Sequence, residues 1–310
     1  MNAPFAYKAS RRAAAIVAAG ALAALLALGG CESEQQQATG AAFTPQTSIE
    51  SATFNEAAAE QGNGAAIDAS SVAQGVVSAS ATNQAALKFQ VTSDQYTENF
   101  DLPNDGTPIV CPLPFGDGQY TFRVMQNTSG NNYVELLSTT ADVSMESEFA
   151  PFLRPNVYCD YGANSACVQK ARELVANASN QAEAVEAICN FMVENVAYDD
   201  DKAASLKTTT GYVPSPDDTL ATGTGVCFDY ASLGAAMLRS QGIPAKIVTG
   251  YVSPGDIYHA WIMVYIDGTW KSAQFSVSAN TWSRVDLTFA ASSGNANVGD
   301  GKNYTDRYVY

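Results

Sequence analysis

Three residues in the last third of the chain have side chains suited to covalent chemistry. Cys227 ends the glycine-containing turn Thr222-Gly223-Thr224-Gly225-Val226 and opens Phe228-Asp229-Tyr230-Ala231-Ser232-Leu233, the start of a helix predicted to run to Gln241. Gly242-Ile243-Pro244 then supplies the glycine and proline that stop a helix. A thiol in a first helical turn meets the positive end of the helix dipole and backbone N–H groups with no intrahelical acceptor. Both favour thiolate over thiol, the form a nucleophile needs. A cysteine there could equally be a buried structural residue, so the case turns on its neighbours. His259, the only histidine in the chain, enters the apolar strand Tyr258-His259-Ala260-Trp261-Ile262-Met263-Val264-Tyr265. A lone histidine in such a strand is more often a satisfied core residue. This one follows a cysteine at a helix start with one strand between them, an order that lets a central helix and adjacent strands gather Cys, His and an acid.

The elements that must position these residues are also legible. Ala231, Gly234, Ala235 and Leu238 form a stripe of mostly small residues, suited to close packing of the helix on a sheet. Strands are predicted at 246–251, at 258–265, and, after the Asp267-Gly268 turn, from Trp270 onward and at 282–286. Upstream, residues 165–177 and 181–195 read as helices, the second with Val185, Ile188, Cys189, Met192 and Val196 on one stripe. Between them and Cys227, residues 198–202 and 208–219 read as surface chain. The aspartate run there matches no EF-hand ligand order and reads as solvated charge. Residues 70–147 alternate strand-like runs with turn signals, predicting a small antiparallel β-sandwich without a catalytic cluster.

Gly225-Val226-Cys227-Phe228-Asp229-Tyr230-Ala231, Gly242-Ile243-Pro244-Ala245, His259-Ala260-Trp261 and Trp282-Ser283-Arg284-Val285-Asp286-Leu287-Thr288 together resemble the bacterial transglutaminase-like superfamily of papain-related cysteine enzymes, over roughly residues 150–310. The resemblance implies an α+β fold: a papain-like transglutaminase core, with a central helix packed on an antiparallel sheet, preceded by a small all-β sandwich-like domain. It also implies a catalytic triad of Cys227, His259 and Asp286. The family's acid follows a tryptophan in a Trp-x-x-Val-Asp-Pro-Thr pattern, and two frames exist: Trp270 puts Gln274 in that place and Trp282 puts Asp286 there. Asp286 is preferred because it keeps the carboxylate, Val285 and Thr288, which makes residues 271–281 an inserted hairpin. Leu287 departs from the usual proline. Residues 102–107 also look like regions that accompany this domain in bacterial lipoproteins.

In these roles Cys227 attacks a carboxamide or peptide carbonyl, His259 protonates the leaving amine and Asp286 orients the imidazole. Water would then make the chain a peptidase or amidase, and a lysine amine would make it a protein acyltransferase. The oxyanion would meet the Cys227 N–H and a second donor, for which Tyr212 is a candidate. The expected partner is a protein or peptide substrate, cell-wall peptide included, and no cofactor is implied. A metalloenzyme is disfavoured by one histidine and no paired Cys-x-x-Cys. The alternative function is a catalytically inactive binding or scaffold protein of the cell envelope.

The N-terminus reads as an export signal. Lys8, Arg11 and Arg12 precede an apolar run that ends in Leu28-Gly29-Gly30-Cys31, which resembles the bacterial lipobox. That motif implies a diacylglyceryl group on Cys31, membrane association through this lipid alone, and an extracytoplasmic location. The expected organisation is a signal at 1–30, a flexible tether at 31–65, the β domain at 66–147 and the catalytic domain at 148–310. Formal net charge is −15, which argues against nucleic acid as a partner. Cys111, Cys159, Cys167 and Cys189 leave the disulfide pattern open, with a small Cys159–Cys167 loop as one option.

Overall fold

Leu87, Phe89 and Val91 are buried while Lys88, Gln90 and Thr92 between them are partly exposed, and that period of two makes a strand with one core face. The same alternation shapes the first part of the computed structural model, which describes residues 38–253, 257–272, 275–293 and 303–310. There β1 (Glu60–Gly62), β2 (Ala65–Asp68), β3 (Val76–Ala81), β4 (Leu87–Thr92), β5 (Thr97–Leu102), β6 (Ile109–Pro112), β7 (Gly118–Ser129) and β8 (Asn132–Val143) form two antiparallel sheets. Their strand orders are β1-β2-β3-β6 and β5-β4-β7-β8. Val77, Phe89, Phe100 and Phe122 are buried in the core, and β2 lies against both β7 and β8. This is the all-β region expected from sequence.

The rest is mixed. It comprises α1 (Ala166–Val175), α2 (Gln181–Asn195), β9 (Ala197–Tyr198), α3 (Asp200–Leu206), α4 (Pro216–Thr222), β10 (Thr224–Gly225), α5 (Cys227–Arg239), β11 (Ala245–Val252), β12 (Ile257–Val264), β13 (Trp270–Lys271), β14 (Ser276–Val277), β15 (Ser283–Val285), α6 (Leu287–Ser293) and β16 (Tyr304–Val309). An antiparallel sheet of order β15-β12-β11-β16 packs on α5 through β11 and β12. Every residue of α5 from Asp229 to Arg239 is buried, which makes it the central helix. Even Arg239 is fully buried. Its guanidinium donates to the carbonyls of Ala245 at 2.8 Å, Arg154 at 2.9 Å and Tyr310 at 2.8 Å, so its hydrogen bonds offset its desolvation. β13 and β14 form the hairpin expected between Trp270 and Trp282.

Three features differ from the sequence reading. Residues 38–59, expected to be part of the tether, lie on the folded body. Thr39 and Thr269 exchange two backbone hydrogen bonds at 3.0 Å, Phe43 N–H donates to Ser179 O at 2.9 Å, and Phe43 and Ile49 pack against the core. Single apolar anchors and backbone bonds hold this segment, and neither leaves a periodic pattern. The described residues therefore cluster as one compact unit, and the boundary expected at residue 147 is a seam within it. The expected surface chain at 198–219 contains two short helices. Asp199 caps α3 by accepting Lys202 N–H at 2.8 Å, and Ser215 caps α4 ahead of Pro216. Finally, Cys111, Cys159, Cys167 and Cys189 are buried free thiols, so Cys159 and Cys167 do not close a disulfide loop. The signal at 1–30, Cys31 and Gln274 lie outside the described residues.

Candidate active site

The turn that delivers Cys227 is built by a short parallel pairing. β10 pairs with β9, Thr224 opposite Ala197 and Gly225 opposite Tyr198. Ala197 N–H donates to Gly223 O at 2.8 Å and Asp199 N–H to Gly225 O at 3.0 Å. Cys227 follows as the first residue of α5, half-buried, with its thiol at the positive end of the helix.

β12 runs inside the sheet between β11 and β15 and carries His259, which is only 5% exposed. Ile262 of β12 pairs with Val285 of β15, and the chain leaves β15 directly into Asp286. His259 Nε2 and Asp286 Oδ2 are 2.8 Å apart. The other Asp286 oxygen accepts Phe289 N–H at 3.1 Å, which makes Asp286 the N-cap of α6. Tyr304 on β16 donates its hydroxyl to Asp286 Oδ2 at 3.0 Å. The Phe289 ring stacks on the imidazole, centroids 4.5 Å apart and planes 17° from parallel. The imidazole is thus fixed by a carboxylate at one nitrogen and an aromatic ring on one face.

Burial is the largest influence on His259 and works against its charged form. Hydrogen bonds to Asp286 and to Cys227, and the negative charges behind them, outweigh it and raise the imidazole to about 10. The ring therefore sits between thiol and carboxylate. With Nε2 committed to Asp286, Nδ1 is left to face the sulfur. The arrangement can hold a thiolate–imidazolium pair and pass one proton between sulfur and a leaving group.

The structure thus brings Cys227, His259 and Asp286 together. Trp282, which set the preferred frame, packs on Phe152 at 5.4 Å and Tyr265 at 5.6 Å beneath the Lys246 ammonium, 4.0 Å away. Tyr212, the candidate oxyanion donor, gives its hydroxyl to Asp229 Oδ1. Asp229 is fully buried, and its other oxygen accepts Val226 N–H at 2.8 Å and pairs with Lys202 Nζ at 2.7 Å. The sequence reading missed Tyr304, Phe289 and this Asp229 cluster. Only Asp229 carried a local signal, lying two residues beyond the cysteine in the same first turn.

Residues 168–286 match the sequence model of the transglutaminase-like superfamily. An uncharacterized protein of Mycobacterium leprae is 30% identical over 168 residues, covering 51% of this chain and 53% of the relative. The human kyphoscoliosis peptidase is 28% identical over 138 residues, covering 41% of this chain and 20% of that protein. The chain thus spans about half the length of the first relative and a fifth of the second. Among solved structures, a protein from Cytophaga hutchinsonii provisionally titled a cysteine protease aligns with a TM-score of 0.34 at 18% identity, covering 74% of this chain and 80% of that one.

Proposed function

We propose, from the premise that residues 168–286 belong to the transglutaminase-like superfamily, that this chain is a cysteine enzyme acting on amide bonds through a thioacyl intermediate. The observation that carries the reading is the line from Cys227 at the start of α5, through the imidazole of His259, to the buried carboxylate of Asp286 at 2.8 Å.

Each group has a defined step. The Cys227 thiolate adds to the amide carbonyl carbon, and the C–O electrons move onto oxygen. When the tetrahedral species collapses, the C–N bond breaks and imidazolium gives its proton to the departing amine. A thioester on Cys227 and a neutral imidazole remain. Water then adds with its proton going to His259, and the C–S bond breaks to release the acid and restore the pair. Asp286 stays ionised throughout and holds the ring in register. Hydrolysis is favoured over transfer to an amine because Cys227 is half-buried rather than enclosed. The peptidase name of the human relative agrees with that preference. Protein or peptide amides, cell-wall peptide among them, are the proposed substrate class.

Iodoacetamide labelling at about pH 6, read by peptide mass spectrometry, tests the nucleophile. The expected result is fast alkylation confined to Cys227 and loss of that rate in His259→Ala. Slow or unselective labelling would overturn the reading in favour of a non-catalytic envelope scaffold. The lipid proposed on Cys31 would hold the enzyme outside the cytoplasm. Intact-mass analysis of the membrane fraction, compared with Cys31→Ser, should find an acylated N-terminal cysteine and lose it in the variant.

A further inference from the structure

The Asp229 cluster is a group of ionisable side chains that the proton relay does not use. Asp229 lies at the third position of α5, fully buried, and reaches back to Val226 N–H at 2.8 Å. Two donors from outside the helix hold it: Lys202 of α3 at 2.7 Å, and the Tyr212 hydroxyl from the chain between α3 and α4. The Lys202 ammonium also lies 4.8 Å from the centre of the Tyr212 ring. Both line a cavity of about 300 Å³ with Asp199 and Thr224. A buried carboxylate is tolerated only when its lone pairs are filled, and here backbone, ammonium and phenol fill them. The backbone was shaped to admit it. A Cβ on Gly225 would lie 2.6 Å from the Asp229 Cβ.

We infer that Asp229, Lys202 and Tyr212 form a positioning clamp that fixes the Val226–Cys227–Phe228 turn, so that its free N–H groups are aimed at the oxyanion formed when Cys227 attacks a carbonyl. The clamp consumes the N–H of Val226, the residue before the helix. The first-turn N–H groups of Cys227 and Phe228 have no acceptor one turn earlier within the helix. An oxyanion hole works only when its donors are held before charge develops. A carboxylate anchored from outside the helix supplies that rigidity at the one turn where the helix's own hydrogen bonds do not. Tyr212 therefore serves the oxyanion through Asp229 and not by donating to it.

The inference rests on Cys227 being the nucleophile, and the experiment separates the two ideas. p-Nitrophenyl acetate acylates a cysteine through a tetrahedral oxyanion, whereas iodoacetamide alkylates it by displacement with no oxyanion. Lys202→Met and Tyr212→Phe would be measured with both reagents, with thermal midpoints recorded alongside. The expected result is a p-nitrophenol release rate at least about tenfold below wild type in each variant, with alkylation of Cys227 within about twofold of wild type. Equal losses in both rates would mean that the cluster only supports the fold or the thiolate, and would overturn the inference. So would unchanged acylation. If wild type itself showed no selective alkylation of Cys227, the nucleophile assignment would fail first, independently of the clamp.

Discussion

Burial ordinarily strips a histidine of its proton, yet His259 lies 5% exposed with its imidazole raised to about 10. Burial is the largest influence and lowers it, and the hydrogen bonds and charges of Asp286 and Cys227 reverse the outcome. The stability consequence follows from the sign. A folded value above the ordinary 6.5 means that the native state binds the proton more tightly than the unfolded chain. The stabilisation is fully present below about pH 6.5 and is lost as pH rises through about 10. Urea midpoints measured across that window should fall for wild type and run flatter for Asp286→Asn, which removes the charge but keeps the shape. An identical slope in the variant would contradict the pairing. Activity should follow the same residues: His259→Ala is expected to slow Cys227 alkylation at about pH 6 by at least about tenfold, since it removes the imidazole that is hydrogen-bonded to the thiol.

Elements place those side chains, and a close fit near them lies between β11 and β16. Gly250 stands opposite His259, and a Cβ there would come within 2.0 Å of the Thr305 carbonyl oxygen and 2.9 Å of the Trp261 ring. Gly250→Ala must push β16 outward, and β16 carries Tyr304, the donor to Asp286. The expected cost is about 1–3 kcal/mol, together with a loss of Cys227 alkylation rate that exceeds the loss in Tyr304→Phe. Thermal melts and labelling of both variants would check it, and a fully stable, fully reactive alanine variant would refute it. The same two elements mark what could be read in advance. α5 was legible because its glycine turn, small-residue stripe and Gly-Ile-Pro stop are all local. β16 was not. Its residues are exposed or only partly buried, and its pairing partners lie 52 to 61 residues earlier, so nothing in its own sequence announced a strand. α3 and α4 escaped for a related reason: each has seven residues, too few to show an apolar face, and their caps are acidic or hydroxyl side chains that also read as loop. Cys227 and His259 stood out by local context and order, and Asp286 only through the family's tryptophan–acid pattern, whereas the groups around them are contacts that exist only after folding.

At the scale of the whole molecule, the β region meets α5 through aromatic rings. Phe100 packs on Tyr158 at 5.8 Å, Tyr158 on Tyr310 at 4.6 Å, and Tyr158 on Phe228, the neighbour of Cys227, at 5.3 Å. Into this seam β5 sends Glu98, 7% exposed, which accepts the Tyr96 hydroxyl at 3.2 Å. Burial raises its carboxyl to about 7, and the Tyr96 hydrogen bond, the Asn99 backbone, Arg307 and Lys88 offset only part of that. Here the folded state prefers the protonated acid. Stability is therefore lost as pH rises from the ordinary carboxylate range through about 7, because the native state must either ionise a buried group or hold its proton against the solvent. Glu98→Gln keeps the size and removes the charge. It should match wild type near pH 5 and exceed it near pH 8 by on the order of 1–3 kcal/mol, read as the difference between urea unfolding curves at the two values. Equal stability at both would mean that Glu98 reaches water on ionising and that the seam is looser than its packing implies. A gain confined to the higher pH would place a pH-sensitive joint between the β region and Tyr310, just after β16. Mild alkali should then loosen the support under Phe228, and with it the turn that holds Cys227, before it unfolds either part.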